Sequence, residues 1–456
     1  MTAKTRVAVV GAGPAGIAVA GALSARASLC VQWVDPKFNV GALSTYRSVP
    51  ANTKVDVLIP SFGGFLPQGL PNDQIERALA RMIHESEHLQ ANPDPAPLGW
   101  TTLGACKDVM QTMTAALMAR PNVDTCHGWA TTIERGSDHA WSVVFSSLMG
   151  SRLTKVQTDA VVLAPGGVAI EAPADLQPEK WMSRKQHLRV LEVDSALQLD
   201  QLPELIDKDE TVGVVGGGHS GGVLVQYLHE VMSVETRWFI RSPIRLAQWD
   251  EDAGAYGSWG YRGLKGTQCR LVPVASSHRS LRSLCRWYPK ATLASCASTA
   301  LLLRLRSKSL CAGVAADFAI RLELAGAAAP NTPVASRLEL HDVARLVHDP
   351  GISSDLDVVI FCLGFRRALL PNILIAGEGV TSEIAEVLHH RSTDGALLGA
   401  DNTAIDGLYG LGLAFSDDEF SSGEAYGQVG FKPFALRAHE IAEAIQSRQS
   451  PADLAR

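Results

Sequence analysis

Val7-Ala8-Val9-Val10-Gly11-Ala12-Gly13-Pro14-Ala15-Gly16 decides the fold. Four successive apolar residues without polar alternation read as a parallel strand buried on both faces. G-x-G-x-x-G follows, and the small residues from Ala15 to Arg26 read as a helix. In such a strand–turn–helix unit Gly11 makes the tight turn, Gly13 lets backbone approach a pyrophosphate, and Gly16 lets helix and strand pack closely. The helix start at Pro14 and Ala15 then favours phosphate charge. The same device returns at Val212-Gly213-Val214-Val215-Gly216-Gly217-Gly218-His219-Ser220-Gly221, about two hundred residues later. One such motif is weak evidence. Two in matching contexts point to one chain that holds two dinucleotides.

The residues after each turn say which dinucleotides. Leu29–Val34 reads as a second strand ending at Asp35, 24 residues past Gly11, where an acid binds the hydroxyls of an adenosine ribose. Pro36 and Lys37 continue that turn. In the second unit Arg237–Ile240 is the matching strand, and Arg241-Ser242-Pro243 follows it. An acid there would select an unphosphorylated ribose, whereas Arg241 pairs with a 2′-phosphate and so predicts NADPH. The chemistry that needs two dinucleotides is electron transfer from a nicotinamide to a flavin.

At 456 residues the chain is long enough for two or three domains. A net charge of −6 gives no basis for nucleic-acid binding, and no apolar run is long enough to cross a bilayer. A first strand beginning near Arg6 leaves no room for a signal peptide, so a cytoplasmic protein is expected. The eight cysteines show neither C-x-x-C nor C-x-x-x-x-C spacing, which disfavours a disulfide framework, a zinc ribbon and a redox-active pair beside a flavin. Asp73–Gln90 reads as a helix, and Thr125–Phe145 as short strands about a turn at Gly136. Asp159–Gly167 and Asp357–Leu363 are buried strands, the first running into the small-residue turn Ala164-Pro165-Gly166. Leu199–Glu210 reads as a linker, Lys290–Arg321 as helical, Ala325–Pro333 as a hinge and Pro433–Gln446 as the last helix.

Three other matches are weighed and set aside. Gly218-His219-Ser220-Gly221-Gly222 fits the G-x-S-x-G nucleophile elbow, but Gly216 and Gly218 already complete a dinucleotide turn. His84-Glu85-Ser86-Glu87-His88 fits H-E-x-x-H, yet an i, i+4 histidine pair on a charged helix is more often a solvated face than a zinc site. The basic, apolar stretch Arg282–Lys308 reads as a domain-packing helix rather than a membrane-surface one.

The order of these motifs resembles that of the two-dinucleotide-domain flavoproteins, above all the flavin-containing monooxygenases and N-hydroxylating monooxygenases, over nearly the whole chain. In that resemblance Gly11, Gly13, Pro14, Ala15, Gly16, Asp35, Pro36 and Lys37 match the FAD-binding turn and ribose acid. Gly216, Gly218, His219, Ser220, Gly221, Arg241 and Ser242 match its NADPH counterpart. Ala164, Pro165, Gly166 and Gly364 lie in the two strand-to-turn crossings, and Gly410 and Gly412 in the late turn that brings backbone to the flavin. Gly41 to Tyr46, then Val49-Pro50-Ala51-Asn52-Thr53-Lys54, is similar to the stretch that crosses the flavin face in the monooxygenases. That likeness implies cofactor contacts from Tyr46, Asn52 and Thr53. It makes Asn52 the one candidate catalytic residue, holding the oxygenated flavin. The chain lacks an intact F-x-G-x-x-x-H-x-x-x-W/Y fingerprint, of which His187 is the nearest relic, and Leu413 stands where many relatives place an Asp.

The expected fold is α/β with two Rossmann-like three-layer domains. An FAD domain of residues 1–205 and 340–456 is interrupted by an NADPH domain of residues 206–339. The resemblance implies a monooxygenase in which NADPH reduces FAD, oxygen adds to reduced flavin as a C4a-hydroperoxide, and a small-molecule nitrogen, sulfur or ketone is oxygenated. No metal is expected, and homo-oligomerisation is left open. The second reading is an NADPH-dependent flavin reductase without oxygen insertion. A nucleotide-binding sensor and a Ser220 hydrolase are outsiders.

Overall fold

The computed structural model describes residues 4–51, 53, 55–67, 73–90, 101–136, 140–147, 153–172, 188–240, 245–250, 255–258, 310–312, 338–342, 355–375, 389–391, 394–399, 401–415 and 430–448. Two parallel sheets carry the two glycine turns. In the first, Ala404–Gly410, Ala160–Leu163, Thr5–Val10, Leu29–Asp35 and Val123–Arg135 lie side by side and parallel. Antiparallel strands extend it at both ends, Trp141–Ser147 and Leu153–Thr158 on one side, Ala396–Leu398 and His389–His390 on the other. In the second, Leu338–Asp342, Glu235–Ile240, Thr211–Val215, Val358–Phe361 and Arg189–Leu191 are all parallel. This second sheet takes strands from both sides of residues 206–339.

The uniform apolar runs have the cause expected of them, because each central strand feeds two cores. Val7 and Val9 pack with the helices Pro14–Ser24, Leu103–Met118 and Phe431–Ser447. Ala8 and Val10 pack on the opposite face with Trp141, Val143 and Phe145 of the antiparallel ribbon. Helix Pro14–Ser24 is buried on nearly every side, which its small residues permit, since a Cβ on Gly21 would stand 1.8 Å from the carbonyl oxygen of Phe65. Full burial of each Ile or Leu in these cores contributes roughly 1.5–3 kcal/mol. The second sheet repeats the arrangement. Val212 and Val214 pack with helix His219–Gln226 on one face, and Val215, Val359 and Phe361 fill the other. The expected α/β fold with two Rossmann-like units is the one observed.

Two sequence readings are corrected. Leu199–Glu210 is no plain linker, for it holds the short helix Leu202–Leu205 and buries Leu199, Leu202 and Ile206 against the second core. Its apolar residues return at helical spacing, a signal that the proline and charges obscured. Leu310–Ala312, within the stretch read as helical, is a strand beside Arg245–Asp250, where tertiary pairing overrides leucine's helix preference. The rest of that stretch, the Ala325–Pro333 hinge and His187 lie outside the described residues. The last helix spans Phe431–Ser447.

Candidate functional site

Both glycine turns sit at the carboxyl ends of their central strands, where open parallel sheets bind ligands. A successive stagger of backbone bonds builds the first edge. The amide of Leu411 donates to Leu163, that of Ala164 to Val10 and that of Gly11 to Val34, at 2.8–2.9 Å. The second edge copies it, with Cys362 donating to Val215 and Gly216 to Phe239 at 2.7 and 2.8 Å.

The three glycines of each turn separate into two kinds. A Cβ on Gly11 would lie 2.2 Å from the carbonyl oxygen of Ala164, and one on Gly216 would lie 2.2 Å from that of Cys362. Both residues also have positive φ, +108° and +124°, which disfavours any other residue. A Cβ on Gly16 or Gly221 would stand 2.0 or 2.1 Å from the oxygen of Gly11 or Gly216. These four glycines are demanded by the polypeptide itself. Gly13 and Gly218 are different. They have ordinary extended backbone, φ −75° and −84°. Among the described residues, a Cβ on Gly13 would find nothing nearer than the Val40 oxygen at 4.0 Å, and one on Gly218 would find nothing within 4 Å. Each is also the N-cap of its helix, with no side-chain cap and no acid in the first turn. Space beside the positive end of a helix is the shape a pyrophosphate requires. The residues present fit a dinucleotide at both turns.

Asp35 does two jobs. Its Oδ2 accepts from the amide of Ala12 at 2.7 Å, and its Oδ1 from Lys37 and Phe38 at 2.8 and 2.7 Å. The carboxylate therefore braces the turn that carries Pro36 and Lys37. A carboxylate has about four acceptor positions, so one on Oδ2 is left for a ribose hydroxyl. In the second unit the position 24 residues past Gly216 is Ile240, which removes that acid. Arg241 and Ser242 follow it outside the described residues.

The remaining expected site residues divide by what they touch. Ala164 supplies the carbonyl against Gly11, and Pro165 and Gly166 continue its turn. Gly166 accepts from the amide of Ala368, and Gly364 from that of Ile170, at the antiparallel crossing of Gly167–Ala169 with Phe365–Arg367. Gly412 lets the late turn reach the first helix, since its Cβ would stand 2.8 Å from that of Ala15. A Cβ on Gly410 would meet the Phe415 ring at 2.7 Å, so packing requires a glycine there. His219 and Ser220 lie in the first turn of their helix, partly buried. Thr53 is partly buried, and Asn52 lies outside the described residues. Tyr46 is buried. Its hydroxyl donates to Asp194 Oδ1 at 2.7 Å and is pushed above its ordinary range by burial and by that carboxylate.

Sequence reasoning missed the two tryptophans. The indole of Trp33 donates to the Gly11 oxygen at 2.9 Å, and that of Trp238 to the Gly216 oxygen at 2.8 Å. Each lies 22 residues past its glycine and is buried. Laying the two units on one another would have found them. The second turn copies the first in its geometry. Gly216 and Gly221 reproduce the distances of Gly11 and Gly16 to 0.1 Å or better. Among the described residues no group of three or more metal-ligating side chains exists. Cys30, Cys106, Cys126 and Cys362 are free thiols, and burial pushes Cys106 and Cys362 up to about 12. Among the described residues no helix is long and apolar enough to cross a membrane.

Residues 5–256 match the family described as pyridine nucleotide-disulphide oxidoreductase. Monooxygenase AgnR1 of Paecilomyces divaricatus is 24% identical over 443 residues, 91% of either chain. The ornithine N-hydroxylase of Kutzneria sp. 744, solved with reduced FAD, NADP+ and L-ornithine, superposes over 98% of this chain and all of its own with a TM-score of 0.56 at 16% identity. Cyclohexanone monooxygenase of Rhodococcus sp. Phi1 bound to NADP+ superposes over 98% of this chain and 86% of its own with a TM-score of 0.57 at 14% identity. At such identities the superpositions establish a shared fold.

Proposed function

Because the chain belongs to the pyridine nucleotide-disulphide oxidoreductase family, we propose that it is an FAD- and NADPH-dependent monooxygenase acting on a small molecule and molecular oxygen. As a member of that family it is an oxidoreductase holding a flavin and a nicotinamide dinucleotide. The observation that carries the reading is the pair Gly13 and Gly218, whose lack of side chain no described neighbour requires and two pyrophosphates would. Oxygenation rather than thiol relay is supported by two further facts. The likeness to a monooxygenase runs over 91% of both chains. Cys30, Cys106, Cys126 and Cys362 are free, and the two most buried of these four are held protonated.

In this reading the residues divide the work as follows. The helix starting at Pro14 holds the FAD pyrophosphate on its free amides, and Asp35 takes a ribose hydroxyl on its remaining lone pair. The helix starting at His219 holds the NADPH pyrophosphate, and Arg241 pairs with the 2′-phosphate. Asn52 is assigned to the flavin face. When bound, the flavin supplies electron transfer from the nicotinamide and activation of oxygen. The protein's part is orientation and exclusion of water.

The test offers isotopically labelled oxygen to the NADPH-supplied protein with panels of amines, thioethers and ketones. Label recovered in one product is expected. NADPH oxidation with no label in any product would replace this reading with a flavin reductase.

A further inference from the structure

The loop from Gly41 to Ala51 joins the two dinucleotide units. At its start a Cβ on Gly41 would lie 3.2 Å from the Gly13 α-carbon, so the loop lies against the first turn. On one side its backbone is pinned to the start of helix Leu103–Met118. The amides of Gly104 and Leu103 donate to Arg47 and Val49 at 2.9 and 2.8 Å, and the amide of Ala51 donates to Thr101 at 2.7 Å. On the other side two side chains leave the loop for the lead-in to the second unit. Tyr46 donates to Asp194 at 2.7 Å and Ser48 to Asp200 at 2.9 Å. Asp194 stands on the short helix Val193–Ala196. Val193, Ala196 and Leu197 pack in one core with Val212, Val214, Val223 and Leu224, the strand and helix of the second glycine turn, and Tyr46 and Val49 belong to that same core. The Tyr46 ring also meets Phe365, just past the crossing at Gly364, edge-on with centroids 6.3 Å apart.

A tyrosine whose hydroxyl spans two units, with its carboxylate partner on an element packed into the core of the second turn, is placed to transmit position. Direct cofactor contact does not explain its partner. We infer that Tyr46 is a positioning residue that ties the loop over the first dinucleotide turn to the second dinucleotide unit through Asp194, and so fixes the placement of the two units relative to each other. This rests on the FAD and NADPH reading above. Hydride transfer between two separately held cofactors is steeply sensitive to such placement, an ångström of error costing on the order of a hundredfold.

The test compares the full-length, FAD-loaded wild type with Tyr46→Phe, Asp194→Ala, the double variant and Asp194→Asn, which keeps an acceptor oxygen. Hydrogen exchange is measured over residues 46–51 and 193–200. Anaerobic reduction by saturating NADPH is followed in the same preparations. Tyr46→Phe and Asp194→Ala are each expected to raise exchange in both segments and to slow the limiting reduction by about tenfold. Reduction by dithionite should stay unchanged. The double variant should be no worse than either single one, and Asp194→Asn should stay near wild type. If Tyr46→Phe does not fold, the Asp194 pair carries the comparison alone. Additive losses, or faster exchange confined to the loop, would overturn the tether and leave the cofactors standing. A wild type that NADPH cannot reduce would overturn both.

Discussion

Replacing Gly13 and Gly16 by alanine separates what the fold needs from what the ligand needs. At Gly13 a Cβ would lie 4.0 Å from its nearest neighbour, with φ at −75°. Alanine there loses about 0.5–1 kcal/mol as an N-cap. It regains about 0.4–1 kcal/mol by stiffening the unfolded chain. The flavin-free protein should therefore melt as wild type does, to within about 1 kcal/mol. At Gly16 the Cβ would stand 2.0 Å from the Gly11 oxygen, about an ångström inside the 3.0 Å limit of real contacts. Helix and strand must part, at a cost beyond the ~1–3 kcal/mol of ordinary overpacking. Flavin binding should rank differently. The Gly13 methyl intrudes on the pyrophosphate, and one lost charged hydrogen bond costs about 1.5–3 kcal/mol, roughly tenfold to a hundredfold in Kd. The assay is FAD per chain after desalting, beside thermal melts of stripped protein. A Gly13→Ala variant that keeps wild-type FAD affinity would refute the division of glycines.

Gly218→Ala should keep its FAD but weaken NADPH by roughly tenfold to a hundredfold, read from the NADPH dependence of anaerobic reduction. Wild type should prefer NADPH to NADH, and Arg241→Ala should lose most of that preference in kcat/KM, about 1.5–3 kcal/mol. Asn52→Ala should be reduced by NADPH at the wild-type rate yet release more hydrogen peroxide per NADPH, counted with a peroxidase assay. The Tyr46 hydroxyl titrates above its ordinary 10.0 because of burial and then Asp194. Its folded value exceeds its unfolded one, so its contribution is whole below pH 10 and is lost as pH rises through the folded value. Denaturant melts at rising alkaline pH should show that decline in wild type and a shallower one in Tyr46→Phe.

Much of this arrangement was legible because glycine spacing encodes backbone contact. Gly11 and Gly16 read correctly from the sequence, as a strand and a helix can meet at those oxygens only without side chains. Both central strands were legible for a related reason, since a strand buried on two faces needs apolar residues at every position. Side chains whose partners lie far away in sequence were not. The bond from the Tyr46 hydroxyl to Asp194 spans 148 positions, and no local pattern announces it. Asp35 read as a ribose acid, and its bracing of three backbone amides shows only in the turn's geometry. The tryptophan bonds to Gly11 and Gly216 were hidden in plain repetition. Leu310–Ala312 pairs with a strand 65 residues away, which local propensity does not see.

Stopped-flow mixing of the NADPH-reduced protein with oxygen, carried through to a count of hydrogen peroxide released per NADPH consumed, tests oxygenation most directly. Across amine, thioether and ketone panels, at least one compound should bring that ratio well below one while its oxygenated product accumulates. A ratio of one peroxide per NADPH with every compound would contradict the monooxygenase assignment.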